Sequence, residues 1–498
     1  MPWNGEMNSM AEERVPSGIP GVDEIFHGGL IPQRTYLLVG SAGSGKTVFS
    51  VQWLREGRRR NEKLLYITLT EPAGDIQRNM ETFGWQLEGI DLLDLTPTGD
   101  VDESGEEYQV FSPSEVEHVA VWQAIYQAVK RKGPQRLVID SLTQLRYLSI
   151  DEYQFRKKIL SLVNFLNESK CTSLLSFETS ELERETSVGL AVDGLIRLRA
   201  EVSPSRVIGL RSIQIEKFRG SDFISGMHPM RITDNGIQVF PHRIEPIGGH
   251  HPTVELLSSG IQQLDELLGG GLESGTTTII SGPSGVGKTT LGVAFLMSAI
   301  ARGKRAVLFT FEEAVESLMI RSQGIGMPLD NLLEAGTLKV VRLNPMEQYP
   351  DEFLGKVRDA VEREGFELVM IDSLRGYQLE MEQFGTPLDH IRNLVHYLNR
   401  NGVTSFLINE VEFITGNLRT TELAISHLAD NIILLRYAEY AGQVIKVLAC
   451  LKKRLGDFQP DLRELHITAD GIRVGEKLAN LRGVLTGVPE YADELPTE

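Results

Sequence analysis

Two glycine-rich segments half a chain apart, Gly40-Ser-Ala-Gly-Ser-Gly45-Lys46-Thr47 and Gly282-Pro-Ser-Gly-Val-Gly287-Lys288-Thr289, both fit G-x-x-x-x-G-K-[ST]. The pattern leaves a chain few folds to choose from. Its glycines let successive backbone N–H groups curl around a polyphosphate, its lysine neutralises the β/γ oxygens, and its threonine hydroxyl ligates Mg²⁺. Such a loop works between a buried strand and a helix whose positive end faces the anion. Both contexts are present: Tyr36–Val39 and Thr278–Ile280 read as short buried strands, and Val48–Leu54 and Leu291–Leu296 as helix starts. The expected nucleotide contacts are Gly43, Ser44, Gly45, Lys46, Thr47 and Val48 in the first copy. In the second they are Gly285, Val286, Gly287, Lys288, Thr289 and Thr290.

The duplication extends beyond the loops. Ser17-Gly-Ile-Pro-Gly-Val-Asp23-Glu24 is matched by Ser259-Gly-Ile-Gln-Gln-Leu-Asp265-Glu266, at the same offset that separates Lys46 from Lys288. Leu137-Val-Ile-Asp140-Ser141-Leu142 recurs around Ile371-Asp372-Ser373-Leu374. There the offset is shorter, so the first copy carries about ten extra residues, assigned to the acidic stretch 98–107. Repeats this long are tandem domains rather than solenoid units, and 498 residues exceed what one core normally supports. The reading is an N-terminal tail (1–12), an α/β domain (13–246), a linker (247–256), a second α/β domain (257–486) and a short acidic tail (487–498). Both sheets are expected to be mostly parallel and flanked by helices. His250 and His251 fall in the Pro/Gly-rich joint and read as linker residues rather than metal ligands.

No apolar run approaches the roughly 20 residues that span a bilayer, and no basic-then-apolar leader opens the chain. Two cysteines, Cys171 and Cys450, make no disulfide framework and read as buried thiols. A cytoplasmic protein is expected. The net charge of −18 argues against an extended nucleic-acid surface.

In each half a second apolar strand runs into acid: Lys63–Thr70 before Glu71, and Arg305–Phe311 before Glu312 and Glu313. Parallel strands deliver their C-terminal ends to the ligand crevice, so these carboxylates should face the γ-phosphate, where one can orient or deprotonate a water or a hydroxyl. Asp140 and Asp372 also end strands and should hold Mg²⁺ with Thr47 and Thr289, Glu312 adding a further carboxylate at the second metal. A helix cap is the alternative reading of a strand-end acid.

These residues carry a resemblance. The opening of each half, the two loops, Phe311-Glu-Glu313, Ile371-Asp-Ser-Leu374 and Ile425-Ser426-His427-Leu428-Ala429-Asp430 resemble KaiC, the tandem RecA/DnaB-like ATPase family of circadian clock systems, over nearly the whole chain. The resemblance implies two RecA-like domains, a hexameric double ring with ATP at subunit interfaces, slow ATP hydrolysis in the N-terminal ring, and autophosphorylation in the C-terminal ring. Glu312 and Glu313 preserve the family's paired glutamates, with Glu312 in the role of general base. Thr70-Glu71 replaces the pair in the first half, and a threonine cannot act as base at neutral pH. Adjacent strand residues point to opposite faces, which would turn Glu71 away. Ser426 falls where the family has its phosphoacceptor serine, His427 replaces the adjoining threonine, and Thr421 matches another hydroxyl near that site. Gly189 stands opposite Ser426 in the first copy, so only the second ring could use this acceptor.

Lys217 and Arg219, and Lys452 and Arg454, match family segments that reach a neighbouring subunit's nucleotide, where cations would stabilise charge on the transferred phosphate. Thr82, Trp85 and Ile325 match positions that contact base or ribose. The acidic end lacks the basic tail with which cyanobacterial members bind the activator KaiA, which speaks against a KaiA-driven oscillator and for a simpler timer or stress ATPase with a KaiB-like partner. Three classes follow: a KaiC-like ATPase and serine/threonine autokinase, a non-kinase ATPase whose nucleotide state recruits partners, and a DNA recombinase or helicase relative. The last lacks evident basic DNA-facing loops.

Overall fold

The computed structural model describes residues 13–96, 113–202 (except 148, 150 and 185), 209–243, 255–344, 349–381, 387–411 and 425–482 (except 441 and 480), together with 490–491. The chain divides into two compact units, Met1–Arg243 and Ile244–Glu498.

The first unit is built on nine strands: β1 (Thr35–Gly40), β2 (Leu64–Thr68), β3 (Asp91–Asp94), β4 (Arg136–Asp140), β5 (Thr172–Phe177), β6 (Gly194–Val202), β7 (Gly209–Phe218), β8 (Met227–Thr233) and β9 (Gly236–Val239). Their order across the sheet is β3-β2-β4-β5-β1-β6-β7-β8-β9. The strands from β3 to β6 in that order pair in parallel, and β7, β8 and β9 continue antiparallel. Parallel strands covered by helices on both faces read as unbroken apolar runs, and β1 and β5 are buried at every position. Their alternating side chains feed two cores. Tyr36 and Leu38 enter one with Phe49 and Trp53, while Leu37 and Val39 enter the other with Phe155 and Leu162. Cys171 lies wholly buried in the second of these cores.

In the second unit a short antiparallel pair, β10 (Leu256–Leu257) and β11 (Leu272–Glu273), precedes another nine-stranded sheet. Its strands are β12 (Thr277–Gly282), β13 (Ala306–Thr310), β14 (Leu338–Arg342), β15 (Leu368–Asp372), β16 (Thr404–Glu410), β17 (Asn431–Tyr440), β18 (Gln443–Lys453), β19 (Arg463–Thr468) and β20 (Gly471–Lys477). The order β14-β13-β15-β16-β12-β17-β18-β19-β20 repeats the first sheet strand for strand. Ile279 and Ile280 face opposite cores, as Leu37 and Leu38 do. The expected α/β architecture with mostly parallel sheets is what the chain adopts. Among the described residues no helix is long and apolar enough to cross a membrane.

One local expectation is corrected. The acids after β2 and β13 do not continue the strands. β2 ends at Thr68 and β13 at Thr310, because the next amides, Leu69 N and Phe311 N, turn to donate to the carbonyls of Asp140 (2.7 Å) and Asp372 (2.8 Å). Thr68 and Thr310 hydroxyls then close the bend on the carbonyls of Glu71 (2.5 Å) and Glu313 (3.1 Å). Strand alternation therefore does not govern where these side chains point.

Candidate nucleotide sites

Each phosphate loop lies between a central strand and a helix: β1 and Lys46–Arg59 in the first unit, β12 and Lys288–Ala301 in the second. The helix-capping glycines need left-handed backbone, Gly45 at φ +103° and Gly287 at φ +115°. A Cβ on Gly287 would also meet the Ile467 side chain at 2.3 Å, so glycine is required there twice over.

In the first unit the Lys46 ammonium donates to Gly40 O (2.7 Å) and Ser41 O (3.1 Å) and pairs with Glu178 at 2.9 Å. Thr47 Oγ1 donates to Asp140 Oδ2 at 3.1 Å. The Tyr66 hydroxyl donates to the same oxygen at 2.6 Å, and Ser176 donates to Asp140 Oδ1. Burial, reinforced by Asp140, keeps the Tyr66 phenol protonated far above its usual range. Thr70 faces Ser141, whose amide donates to its hydroxyl at 3.2 Å. Glu71 turns aside and accepts from Asn79 Nδ2 at 2.5 Å. Burial, with Asp140 and Asp75 nearby, raises the Glu71 carboxyl pKa.

The second unit repeats this geometry with different side chains. Thr289 Oγ1 donates to Asp372 Oδ2 at 2.5 Å. Ser373 donates to Glu312 Oε1 at 2.7 Å, so Glu312 occupies the place that Thr70 holds in the first unit. Glu313 is clamped by Arg321, Nε to Oε1 at 3.1 Å and Nη2 to Oε2 at 2.6 Å, and Nη1 of the same guanidinium reaches Thr290 Oγ1 at 3.0 Å. The corresponding residues in the first unit are Glu71, Asn79 and Val48, which cannot make that bridge. Lys288 donates to Pro283 O at 2.8 Å and stands 3.8 Å from Glu410. Burial lowers the Lys288 pKa against the pull of Glu410, Asp372 and Glu312. Burial pushes the Asp372 carboxyl up to about 6, with Thr289 opposing and Glu312 and Glu313 adding to the rise.

Sequence reading missed Glu178 and Glu410, each at the tip of the strand between the loop strand and the aspartate strand. Each ends an apolar run, Leu174–Phe177 and Phe406–Asn409, a signal that the acids after β2 and β13 share. Arg321 carried no such signal. Only the packing of its helix, Val315–Gly324, shows what it holds.

The chain matches the model of the KaiC ATPase family over residues 15–244 and again over 257–479. It belongs to the KaiC ATPase family. It is 28% identical to the circadian clock protein KaiC3 of Synechocystis, across 98% of this chain and 96% of that protein. It is also 28% identical to the circadian clock oscillator protein KaiC of Thermostichus vulcanus (97% and 93%) and 27% identical to that of Prochlorococcus marinus strain MIT 9313 (97% and 97%).

KaiC-family membership implies ATP, usually with Mg²⁺, and the residues present fit both. The left-handed loop glycines leave the cradle open, no heavy atom standing within 4 Å of a Cβ on Gly43. Ser44 Oγ is buried beside it without a hydrogen-bond partner. The threonine–aspartate pairs supply an all-oxygen donor set of the kind Mg²⁺ prefers.

The remaining positions drawn from the KaiC pattern lie elsewhere. Lys217 Nζ donates to the carbonyls of Gly189 (3.0 Å), Leu190 (3.1 Å) and Val192 (2.6 Å), and Arg219 reaches Leu190 O at 3.2 Å. In the second unit Lys452 Nζ donates to Ser426 O (3.0 Å) and Ala429 O (2.6 Å). Arg454 pairs with Asp430 at 3.1 Å and reaches His427 O at 3.3 Å. Burial, with Arg454 adding, lowers the Lys452 pKa. Ser426 sits half-buried in a turn of 3₁₀ helix, Ile425–His427, and His427 is exposed. Thr421 and the linker histidines lie outside the described residues. Trp85 is 4% exposed and packed under the Arg55 guanidinium at 4.4 Å. Thr82 donates to Asn79 O at 2.7 Å, and Ile325 packs against a core of the second unit.

Proposed function

We propose that this KaiC-family ATPase assembles into a ring, as a hexamer, and that its second unit passes the γ-phosphoryl of ATP either to water or to Ser426 of a neighbouring copy. One observation carries the trans direction. Asp430, which follows the Ser426 turn closely along the chain, is bonded through backbone and side chain to Thr277 at the start of β12 (2.9 and 3.0 Å), whereas the phosphate loop leaves the far end of that strand. From Thr278 to Gly282 the strand covers roughly 13 Å at about 3.3 Å per residue. Ser426, Lys452 and Arg454 thus share one end of the sheet, and Lys288, Thr289, Asp372 and Glu312 share the other. An acceptor and two cations grouped opposite their own loop suit delivery to the loop of the next copy.

ATP supplies the transferable phosphoryl group and Mg²⁺ neutralises its charge. The chain's residues do the rest. Lys288 binds the phosphate oxygens, and Thr289 with Asp372 holds the metal and its water. Glu312, held by Ser373, accepts the proton of the attacking hydroxyl, and the neighbour's cations balance the developing charge. A serine hydroxyl held at the phosphate competes with water because its translational entropy is already lost. The relatives' names point to a clock-like timer. Here that role, or a stress-signalling variant with a KaiB-like partner and without a KaiA-type activator, forms part of the same proposal.

The test is peptide mass spectrometry after incubation with Mg-ATP. Phosphate on the peptide holding Ser426 is expected, and Ser426→Ala or Glu312→Gln alone should each abolish it. Mixing Ser426→Ala chains with Glu312→Gln chains should restore phosphate on the Glu312→Gln chain alone. Hydrolysis with no phosphate anywhere would replace the autokinase by an ATPase that recruits partners through its nucleotide state.

A further inference from the structure

The first unit lacks an acid where the second has Glu312. We infer that Glu178 supplies the water-activating carboxylate of the N-terminal site, an inference that rests on ATP binding at that loop. β5 lies between β4, which ends in Asp140, and β1, which opens into the phosphate loop. Glu178 at its tip therefore stands between the metal-holding and phosphate-holding elements. Its carboxylate contacts the Lys46 ammonium at 2.9 Å, and that ammonium is the group that binds the β/γ oxygens. Glu178 is one-third exposed, at 33% of its side chain, so water reaches it. Its amide donates to Thr143 Oγ1 at 3.1 Å, which fixes the strand tip.

The other candidates are committed elsewhere. Thr70 has no basic group and faces Ser141. Glu71 is bonded to Asn79 on the helix Ala73–Glu81. Asp140 takes three hydroxyl donors, from Thr47, Tyr66 and Ser176. In the second unit Glu410 stands farther from its lysine, at 3.8 Å, and Glu312 is in place beside Ser373.

In the inferred step the lysine leaves Glu178 for the phosphate oxygens, and the freed carboxylate takes one proton from a water. The water oxygen bonds to the γ phosphorus. The bond from that phosphorus to the bridging oxygen breaks, its electron pair leaving with ADP, and the products are ADP and inorganic phosphate.

The experiment uses the full chain carrying Lys288→Ala, which silences the second site and leaves the first to be read alone. Phosphate release and equilibrium binding of a fluorescent ATP analogue are measured together. Adding Glu178→Gln should lower kcat by about 10²-fold, the usual weight of a general base. KM should stay within about threefold, and the analogue should bind as tightly or up to about tenfold more tightly, because a competing negative charge is gone. Glu71→Gln should lower kcat less than Glu178→Gln does. Thr70→Glu should restore turnover to the Glu178→Gln chain. Unchanged kcat in Glu178→Gln, or loss of analogue binding with it, overturns the inference. A Lys288→Ala chain that binds the analogue but releases no phosphate also overturns it while leaving nucleotide binding intact. Failure to bind at all would bring down the nucleotide reading of the first unit as well.

Discussion

Asp372 carries a cost of burial. Burial, reinforced by Glu312 and Glu313, pushes its carboxyl up to about 6 from an ordinary 3.8. A carboxyl whose pKa rises on folding holds its proton more tightly in the folded state. Stability of the nucleotide-free protein should therefore fall as pH rises from about 4 through about 6, then level off. Asp372→Asn removes that slope and should raise the nucleotide-free stability of the second unit at pH 7 by up to about 3 kcal/mol. The same variant should lose the melting-temperature gain that Mg-ATP gives the parent; melting curves with and without Mg-ATP read both effects. Arg321 is the opposite kind of residue, a bidentate cation spanning two elements. Arg321→Asn, which installs the first unit's residue, should free Glu313 and lower C-terminal turnover about tenfold or more by loosening the loop after β13. An Arg321→Lys chain should recover only part, since an ammonium cannot fork across a carboxylate. At this scale the sequence was legible where a motif fixes spacing, as at Lys46, Thr47, Lys288 and Thr289. It was silent for Arg321, whose partners Thr290 and Glu313 lie on other elements.

Strand tips, more than strand interiors, distinguish the two units. Asp140 and Asp372 could be read from an apolar run ending in acid, and the tip glutamates Glu178 and Glu410 end similar runs. What raises these glutamates above ordinary helix caps is sheet order, because β5 lies beside β1 despite the long stretch of chain between them. Sequence alone does not give that adjacency. Arg136 at the opposite end of β4 is also a product of packing. It is fully buried, donates to Pro16 O (2.8 Å) and Trp53 O (2.9 Å), pairs with Glu62, and lies 5.1 Å from the Trp53 ring. Arg136→Ala would orphan two carbonyls and a part-buried carboxylate. It should cost about 3–5 kcal/mol, seen calorimetrically as an earlier transition of the first unit with the second unchanged. The central strands β1, β2 and β4 and their counterparts β12, β13 and β15 were legible, since strands buried on both faces have no polar alternation to disguise them, whereas the antiparallel strands that complete each sheet were not read.

The whole chain repeats one plan twice, and its duplicated loops announced that plan. The proposed trans arrangement came from the KaiC resemblance alone; the sequence did not give which end of the sheet each of these residues occupies. If the acceptor and cations serve a neighbour, Ser426 phosphate formed per chain per minute should rise with protein concentration and reach a plateau once rings are complete. A first-order rate that ignores dilution would contradict this. Cys171 and Cys450, the chain's two thiols, are both buried, their pKa values pushed by burial to about 12 and about 11. The native protein should therefore ignore maleimides and mild oxidants at neutral pH. It is already its own unlabelled background. His427→Cys, at an exposed position, would take a dye without either native cysteine being removed, and energy transfer from it to a fluorescent nucleotide would show whether the next molecule's loop lies within reach.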